Sequence, residues 1–470
     1  MRKKLPFLLT SALLLGTTQL HADELRLTTA TPVGKTLQIA LNADLQVDIT
    51  WENGEKQSLF CDGSVQSIPV KSASFTISST FGNITSLYVQ GNKITALDVS
   101  GATELKSVYA ADNQLTTLDV SKLKSLTDLD VQGNQLEGLT LTSNTALKNL
   151  NVADNQLTSS GFKLSSTTRL ENFVAANNQL TSSIAALVLR DAKNYWAQNN
   201  QFTSVSLTSN SSLHSLVLSG NKLTSLSLIK QPELTDLWID GNEIKTLNLS
   251  NGTPSLSFIA ADNNKLSSIT WDVTNNKKSL KYAYLNDNQL FPGFLPTRSS
   301  LTDITYSPQA DYELEERYPL GTAVDLSELL LKNGYDANIT TSVKFVDREG
   351  NVLAKGTDYT DSRRQYTFKT SHAGIRLEAT CATYPNATFT TTRFSVGDAI
   401  DAIYNVNAGQ TINVTTLAGG ITVEAAALTP IHIVDLKGTT IANENIKGSR
   451  TWTLPAGIYI VNGHKVVVAH

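Results

Sequence analysis

An asparagine returns along the middle of this 470-residue chain at positions 92, 113, 134, 155, 178, 200, 221, 242, 264 and 288, in steps of 21 to 24 residues. Around each lies one apolar frame, as in Leu105-x-x-Val108-x-Ala110-x-x-Asn113-x-Leu115 and then Leu126-x-x-Leu129-x-Val131-x-x-Asn134-x-Leu136. Ten returns of one phase exclude an aperiodic globular core over this stretch. A unit of this length cannot bury its own apolar face and must stack on its neighbours.

The frame L-x-x-L-x-L-x-x-N-x-L at this period is the signature of a leucine-rich repeat solenoid, assigned here to residues 83–310 with units of about 21 residues. Each unit is expected to lay one short strand on the concave face and to turn away at the asparagine. That turn leaves interior backbone groups without ladder partners, where an unpaired polar group costs about 1–3 kcal/mol. An amide side chain offers two donors and an acceptor, so Asn92, Asn113, Asn134, Asn155, Asn178, Asn200, Asn221, Asn242, Asn264 and Asn288 are predicted to form a buried structural ladder. Gln309 stands at the next phase, after Leu301-x-x-Ile304-x-Tyr306, and marks a modified terminal unit. The second half of each unit, ITALDVS at 94–100 or LTSLSLI at 223–229, alternates and is rich in Ser and Thr. It predicts short strands or turns on the convex side. The longer steps, at TSSGFKLSSTTR and TWDVTNNKKS, are expected to loop out there.

Residues 1–22, MRKKLPFLLTSALLLGTTQLHA, place three basic residues before a short apolar core and end on Leu20-His21-Ala22, the pattern of a secretory signal peptide. The run is too short to span a bilayer, which needs roughly 20 apolar residues, and no later segment approaches that, so no transmembrane anchor is expected. Removing these residues takes the formal net charge from −4 to −7, which disfavours nucleic acid as a partner. Residues 23–82 alternate apolar and polar positions, turn at Glu52-Asn53-Gly54, and read as a β cap over the first coil. From 311 the repeat stops, and strands such as TSVKFVDREGNVL and GIRLEATCAT at sandwich-like spacing predict an Ig-like β domain over residues 311–395. Residues 396–470 read as a small C-terminal β domain. The fold class is therefore mainly β. Stacked strands at about 4.8 Å per repeat would hold Cys61 and Cys381 tens of ångströms apart, so no disulfide between them is expected.

On these motifs, residues 83–307 resemble the internalin-type surface proteins, especially the internalin-J-like group with 21-residue units. That resemblance implies partner binding by the concave face. IHIVDLKG, LPAGIYIVNG and the closing KVVVAH, with Gly438, Pro455, Gly457, Tyr459, Val461 and the run 465–468, resemble the C-terminal sorting domain of the type IX secretion system of Bacteroidetes. This second resemblance implies engagement of the secretion machinery, passage across the outer membrane, removal of this domain and attachment of the rest at the cell surface. The family usually closes on a basic residue, whereas here Lys465 is followed by VVVAH.

Side chains between the two inward apolar positions of each strand point to the concave side. In order they are Tyr88, Tyr109, Asp130, Asn151, Val174, Trp196, Val217, Trp238, Ala260 and Tyr284, with Phe258 and Tyr282 beside them. An apolar, aromatic strip with a polar rim is the expected form of a recognition surface for a protein or a glycan. The predicted ligand-binding residues are Tyr88, Tyr109, Val174, Trp196, Val217, Trp238, Phe258, Tyr282 and Tyr284. Asp112, Asp154, Asp240, Asp262 and Asp287 beside the ladder read as solvated charges, since no loop clusters oxygens for calcium. The six histidines are scattered, without metal spacing, and no cofactor motif is present. His214, alone in the solenoid, has no Ser or Cys partner in its motif, so no catalytic residues are assigned. The expectation is a non-enzymatic, secreted surface protein serving adhesion, host interaction or biofilm formation. A carbohydrate-capturing accessory protein and a structural coat component are the alternatives.

Overall fold

The computed structural model describes residues 23–468, apart from 45, 80–81, 182–190, 208–209, 251, 273, 297–300, 331–338, 398–411, 418, 436–438 and 463. The signal-peptide assignment to residues 1–22 lies outside the described residues. The chain is mainly β and divides into two compact units, Met1–Asn221 and Lys222–His470. Leucine-rich repeats occur in both.

In the first unit, strands Ile84–Tyr88, Ser107–Tyr109, Asp128–Asp130, Asn149–Asn151, Asn172–Val174, Asn194–Trp196 and Ser215–Val217 stack as a parallel sheet in unbroken register. Their inward residues, Leu87, Val108, Leu129, Leu150, Phe173, Tyr195 and Leu216, are all buried. The second unit repeats the pattern with Asp236–Trp238, Phe258–Ala260, Tyr282–Tyr284 and Asp303–Thr305. The second half of each unit is mostly turn, with two short parallel pairs, Leu139–Leu141 with Phe162–Leu164 and Thr246–Asn248 with Ser268–Thr270. The extra residues of the longer steps thus include a paired strand at 162–164 and a four-residue helix, Asn276–Ser279.

Every rung asparagine is buried except Asn264, which is half-buried. Asn113 shows the bonding: its Oδ1 accepts from the backbone N–H of Asn92 (3.0 Å) and Ile94 (2.9 Å), and its Nδ2 donates to the carbonyls of Val89, Ala110 and Ala111. Each amide therefore ties its own turn to the coil before it. Gln309 does the same one residue type removed, accepting from Leu290 N–H and donating to the Leu285 and Tyr306 carbonyls, all at 2.8 Å.

The residue before each rung is Gly, Asp or Asn for a backbone reason. Gly91, Asp112, Gly133, Asp154, Asn177, Asn199, Gly220, Gly241, Asn263 and Asp287 all have φ between 52° and 68°. Only these types enter the left-handed region at low cost. Asp112, Asp154 and Asp287, read from sequence as merely solvated charges, therefore also serve the turn. A second polar column was not apparent in the sequence. Buried Asn144, Asn210 and Asn276 donate to the carbonyls of Val120, Ala192 and Thr253 in the preceding coil, at 2.7–2.9 Å.

The N-terminal residues extend both faces of the first coil. Thr36–Ala43 pairs antiparallel with Ile84–Tyr88, and Glu24–Thr29 pairs with Ile94–Asp98. The first coil is thereby given partners on both its strands. In the second unit, Tyr384 Oη donates to the carbonyls of Leu295 and Pro296, and Phe291 packs edge-on against Tyr312. These contacts join the last repeat to a β-sandwich whose two sheets enclose Phe345, Tyr359, Tyr366, Phe368 and Phe394. Its last strand is Phe394–Val396.

Residues 412–468 form a five-stranded sheet built on the long strands Gly420–Asp435 and Thr440–Thr453. Its core includes Val423, Ile433, Tyr459, Val461, Val466 and Val468. Tyr459 Oη donates to the Pro455 carbonyl at 3.0 Å, and Gly457 lies against the Tyr459 ring, where a Cβ would sit 3.6 Å away. Pro455, Gly457 and Tyr459 thus pack together at one corner of this domain, and Val461 lies in its core. Gly438 lies outside the described residues.

Candidate functional site

The stacked parallel strands of each unit present rows of side chains on the side away from the core. In the first unit the central row runs Tyr88, Tyr109, Asp130, Asn151, Val174, Trp196, Val217 in direct register. Tyr88 and Tyr109 stack with centroids 4.8 Å apart and planes within 7°. Burial and the nearby Asp128 carboxylate push the Tyr109 phenol above its ordinary pKa. Trp196 is 41% exposed, and its indole N–H donates to Ser215 Oγ at 2.9 Å. Val174 and Val217, on either side of it, are half-buried.

Beside this row runs a relay of polar side chains that the leucine frame did not reveal. Asn194 donates to Asn172, Asn172 to Asn149, and Asn149 to Asp128, each at 2.6 Å. A second relay links Asn199, Asn177 and Asp154. Their spacing of 21 to 23 residues is legible in the sequence, but the bonding between them is not. Two lysines, Lys148 and Lys193, flank Glu171 at 3.5 and 2.9 Å.

In the second unit the central row is Trp238, Ala260, Tyr284 and Thr305, and the adjacent row is Asp236, Phe258, Tyr282 and Asp303. Trp238 and Phe258 stack at 4.3 Å, and Phe258 meets Tyr284 edge-on at 5.5 Å and Tyr282 at 6.2 Å. Trp238 and Tyr282 are each 39% exposed. The structure corrects the reading of the central column at one point. Ala260 does not face solvent but is buried, because its methyl group lies between the large rings of Trp238 and Tyr284 on the neighbouring strands. Tyr284 Oη donates to Asp303 at 3.3 Å. The Asp262 carboxyl is held above its usual range by burial and then by the like charges of Asp240 and Asp287, against a hydrogen bond from Asn263.

His214 is exposed, and its Nδ1 lies 2.8 Å from the Ser212 carbonyl, so that nitrogen carries the proton. Among the described residues no three His, Cys, Asp or Glu side chains gather as a metal site. Cys61 and Cys381 are free thiols. A cleft of about 710 Å³ in the first unit, lined by Arg26, Thr28, Trp51, Glu52, Asp98 and Asp119 among others, was not visible in sequence. It arises where the sheet of the N-terminal residues meets the convex turns, and no repeat marks it.

No protein-family model and no curated protein matches the chain. Among solved structures it is similar to YopM from Yersinia enterocolitica WA-314, at 23% identity and TM-score 0.36, covering 46% of this chain and 50% of that one. A second is the leucine-rich repeat ectodomain of the plant receptor kinase GASSHO1/SCHENGEN3 from Arabidopsis thaliana, at 24% identity and TM-score 0.38, covering 46% and 29%. A third is the functional domain of InlJ from Listeria monocytogenes, at 16% identity and TM-score 0.26, covering 67% and 92%. The chain thus spans half the length or less of the first two. Among the described residues no helix is long and apolar enough to cross a membrane.

Proposed function

We propose that this chain is a secreted bacterial leucine-rich repeat protein, displayed at the outer surface, that binds a protein partner with the concave strands of its repeats. The observation that carries the reading is the exposure of Trp196 and Trp238, 41% and 39%, on strands whose inward residues are fully packed. Aromatic side chains held on a rigid sheet provide contact area with little ordering entropy left to lose. Exposed rings on a packed sheet favour partner contact, so the role proposed is adhesion or host recognition. Residues 412–468, with the corner formed by Pro455, Gly457 and Tyr459, would engage the secretion machinery.

The test is an array of purified extracellular-matrix and epithelial-surface proteins printed beside glycans, probed with the full chain and with the Trp196→Ala/Trp238→Ala variant. The reading expects saturable binding to a protein spot that the double variant loses at least tenfold while keeping its circular dichroism spectrum. Equal signals from both chains would remove the concave face from the account. Tryptophan-dependent binding confined to glycans would replace the protein partner with a carbohydrate.

A further inference from the structure

The concave strands of the second unit carry a charge pattern that their aromatic character alone does not explain. Residues 235–241, 257–263, 281–287 and 302–308 contain five aspartates, Asp236, Asp240, Asp262, Asp287 and Asp303, against one lysine, Lys281. The register places them around the rings. In one row Phe258 and Tyr282 are neighbours with Asp236 at one end and Asp303 at the other. In the next row Trp238 and Tyr284 flank the small buried Ala260, and Asp240 and Asp262 stand two residues past the ends of their strands. Adjacent strands are about 4.8 Å apart, so the carboxylates at the ends of the Phe258–Tyr282 row stand one strand from a ring. The Asp303 contact to the Tyr284 hydroxyl shows that closeness directly.

A ring face is the negative end of its quadrupole and attracts a cation within about 6 Å, more strongly when the cation is desolvated. Carboxylates around such rings add Coulomb attraction of the same sign and supply acceptors for N–H donors. The Asp262 carboxyl is raised chiefly by burial, and the like charges of Asp240 and Asp287 add to that rise. The first unit differs. There the corresponding row is the amide relay ending on Asp128, and Glu171 is bracketed by two lysines.

Resting on the protein-binding reading above, we propose that the concave face of the second unit recognises a basic segment of its partner, seating a lysine or arginine side chain over the Trp238, Phe258, Tyr282 and Tyr284 rings between Asp236 and Asp303. A neutral sugar would use the rings but gain nothing from the carboxylates. A basic side chain uses both.

The experiment is fluorescence anisotropy with the full chain and labelled twelve-residue probes of alternating lysine and serine, or of glutamate and serine, with maltoheptaose as competitor. At about 50 mM NaCl the lysine probe is expected to bind at least tenfold tighter than the glutamate probe, and to weaken markedly at about 500 mM, where the Debye length falls to roughly 4 Å. Asp236→Asn/Asp303→Asn keeps every ring and should weaken the lysine probe about tenfold. Trp238→Ala should do likewise. Glu243→Gln alters the exposed Lys265–Glu243 pair and controls for lost negative charge; it should leave binding within twofold. The inference is overturned if the glutamate probe binds as well, if the double asparagine variant behaves like Glu243→Gln, or if maltoheptaose displaces the probe. Should the array still find a tryptophan-dependent protein partner, only the basic-segment assignment falls.

Discussion

Truncating the rung asparagines should destabilise the solenoid unequally, in an order set by how many backbone donors each side chain holds. Asn113 Oδ1 accepts from two backbone N–H groups, those of Asn92 and Ile94, and Asn113 is buried. Asn134 Oδ1 accepts from one, Leu115. When Asn134 becomes alanine, the Ala110 carbonyl retains Asn113 Nδ2 and the Val131 carbonyl retains Asn155 Nδ2, so the main loss is one donor. At about 1–3 kcal/mol for each buried group deprived of its partner, Asn134→Ala should cost about 1–3 kcal/mol and Asn113→Ala about 2–6 kcal/mol. Asn264, half-buried, holds only Ile244 N–H. Water can replace its oxygen there, so Asn264→Ala should cost about 1 kcal/mol or less. A single unfolding midpoint does not tell which rung has weakened in a stack of repeats coupled only to their neighbours. Native-state hydrogen exchange followed by mass spectrometry over residues 86–120 resolves the local free energy directly. Loss of protection should be largest for Asn113→Ala and centred on residues 92–94, and smaller for Asn134→Ala and centred on Leu115. Equal losses in the two variants, or a greater loss in Asn134→Ala, would refute the donor-counting argument.

Three further outcomes are expected. Asp262 ionises near pH 3.8 when unfolded and at higher pH when folded, chiefly because of burial. Its charge therefore destabilises the fold at neutral pH, and the penalty disappears as pH falls through the folded and then the unfolded value. Asp262→Asn should raise the thermal midpoint at pH 7 and leave it unchanged near pH 3; a lower midpoint at pH 7 would contradict the assignment. Tyr195 is fully buried and its hydroxyl has no hydrogen-bond partner among the described residues. Tyr195→Phe should thus be neutral or stabilising by about 1 kcal/mol in urea unfolding, because it removes a desolvated polar group, and a loss above about 1 kcal/mol would reveal a partner. Gly252 allows the closest backbone approach in the second unit, since a Cβ there would lie 1.9 Å from the Leu228 carbonyl oxygen. Gly252→Ala should cost more than about 2 kcal/mol by forcing the two turns apart, and unchanged local exchange protection over residues 225–256 would count against that packing.

The solenoid was legible because each rung is the same local interaction copied at a fixed offset. Asn113 bonds residues 89 to 111 and Asn134 residues 110 to 132, so a recurring residue reports a recurring environment. Even Gln309 kept the pattern at its last step. The left-handed position before each rung was equally available in the sequence, as an unbroken run of Gly, Asp and Asn. It does not declare itself there, because those aspartates also make sense as solvent-facing charges.

What periodicity could not supply is whatever depends on the size of the neighbour one strand away. The phase of Ala260 matches that of Trp238 and Tyr284, yet those two rings bury it. Asn149 and Asn172 stand at one phase as ordinary rim residues, and only stacking joins them into a relay at 2.6 Å. By itself, then, the sequence determined the repeat, its strand-and-turn phase and the residues that close its interior hydrogen bonds. The tertiary structure decided which side chains of one row stay open, which pair with each other, and where aromatic rings meet carboxylates, because those outcomes are set by contacts between units whose exposed positions are free to differ.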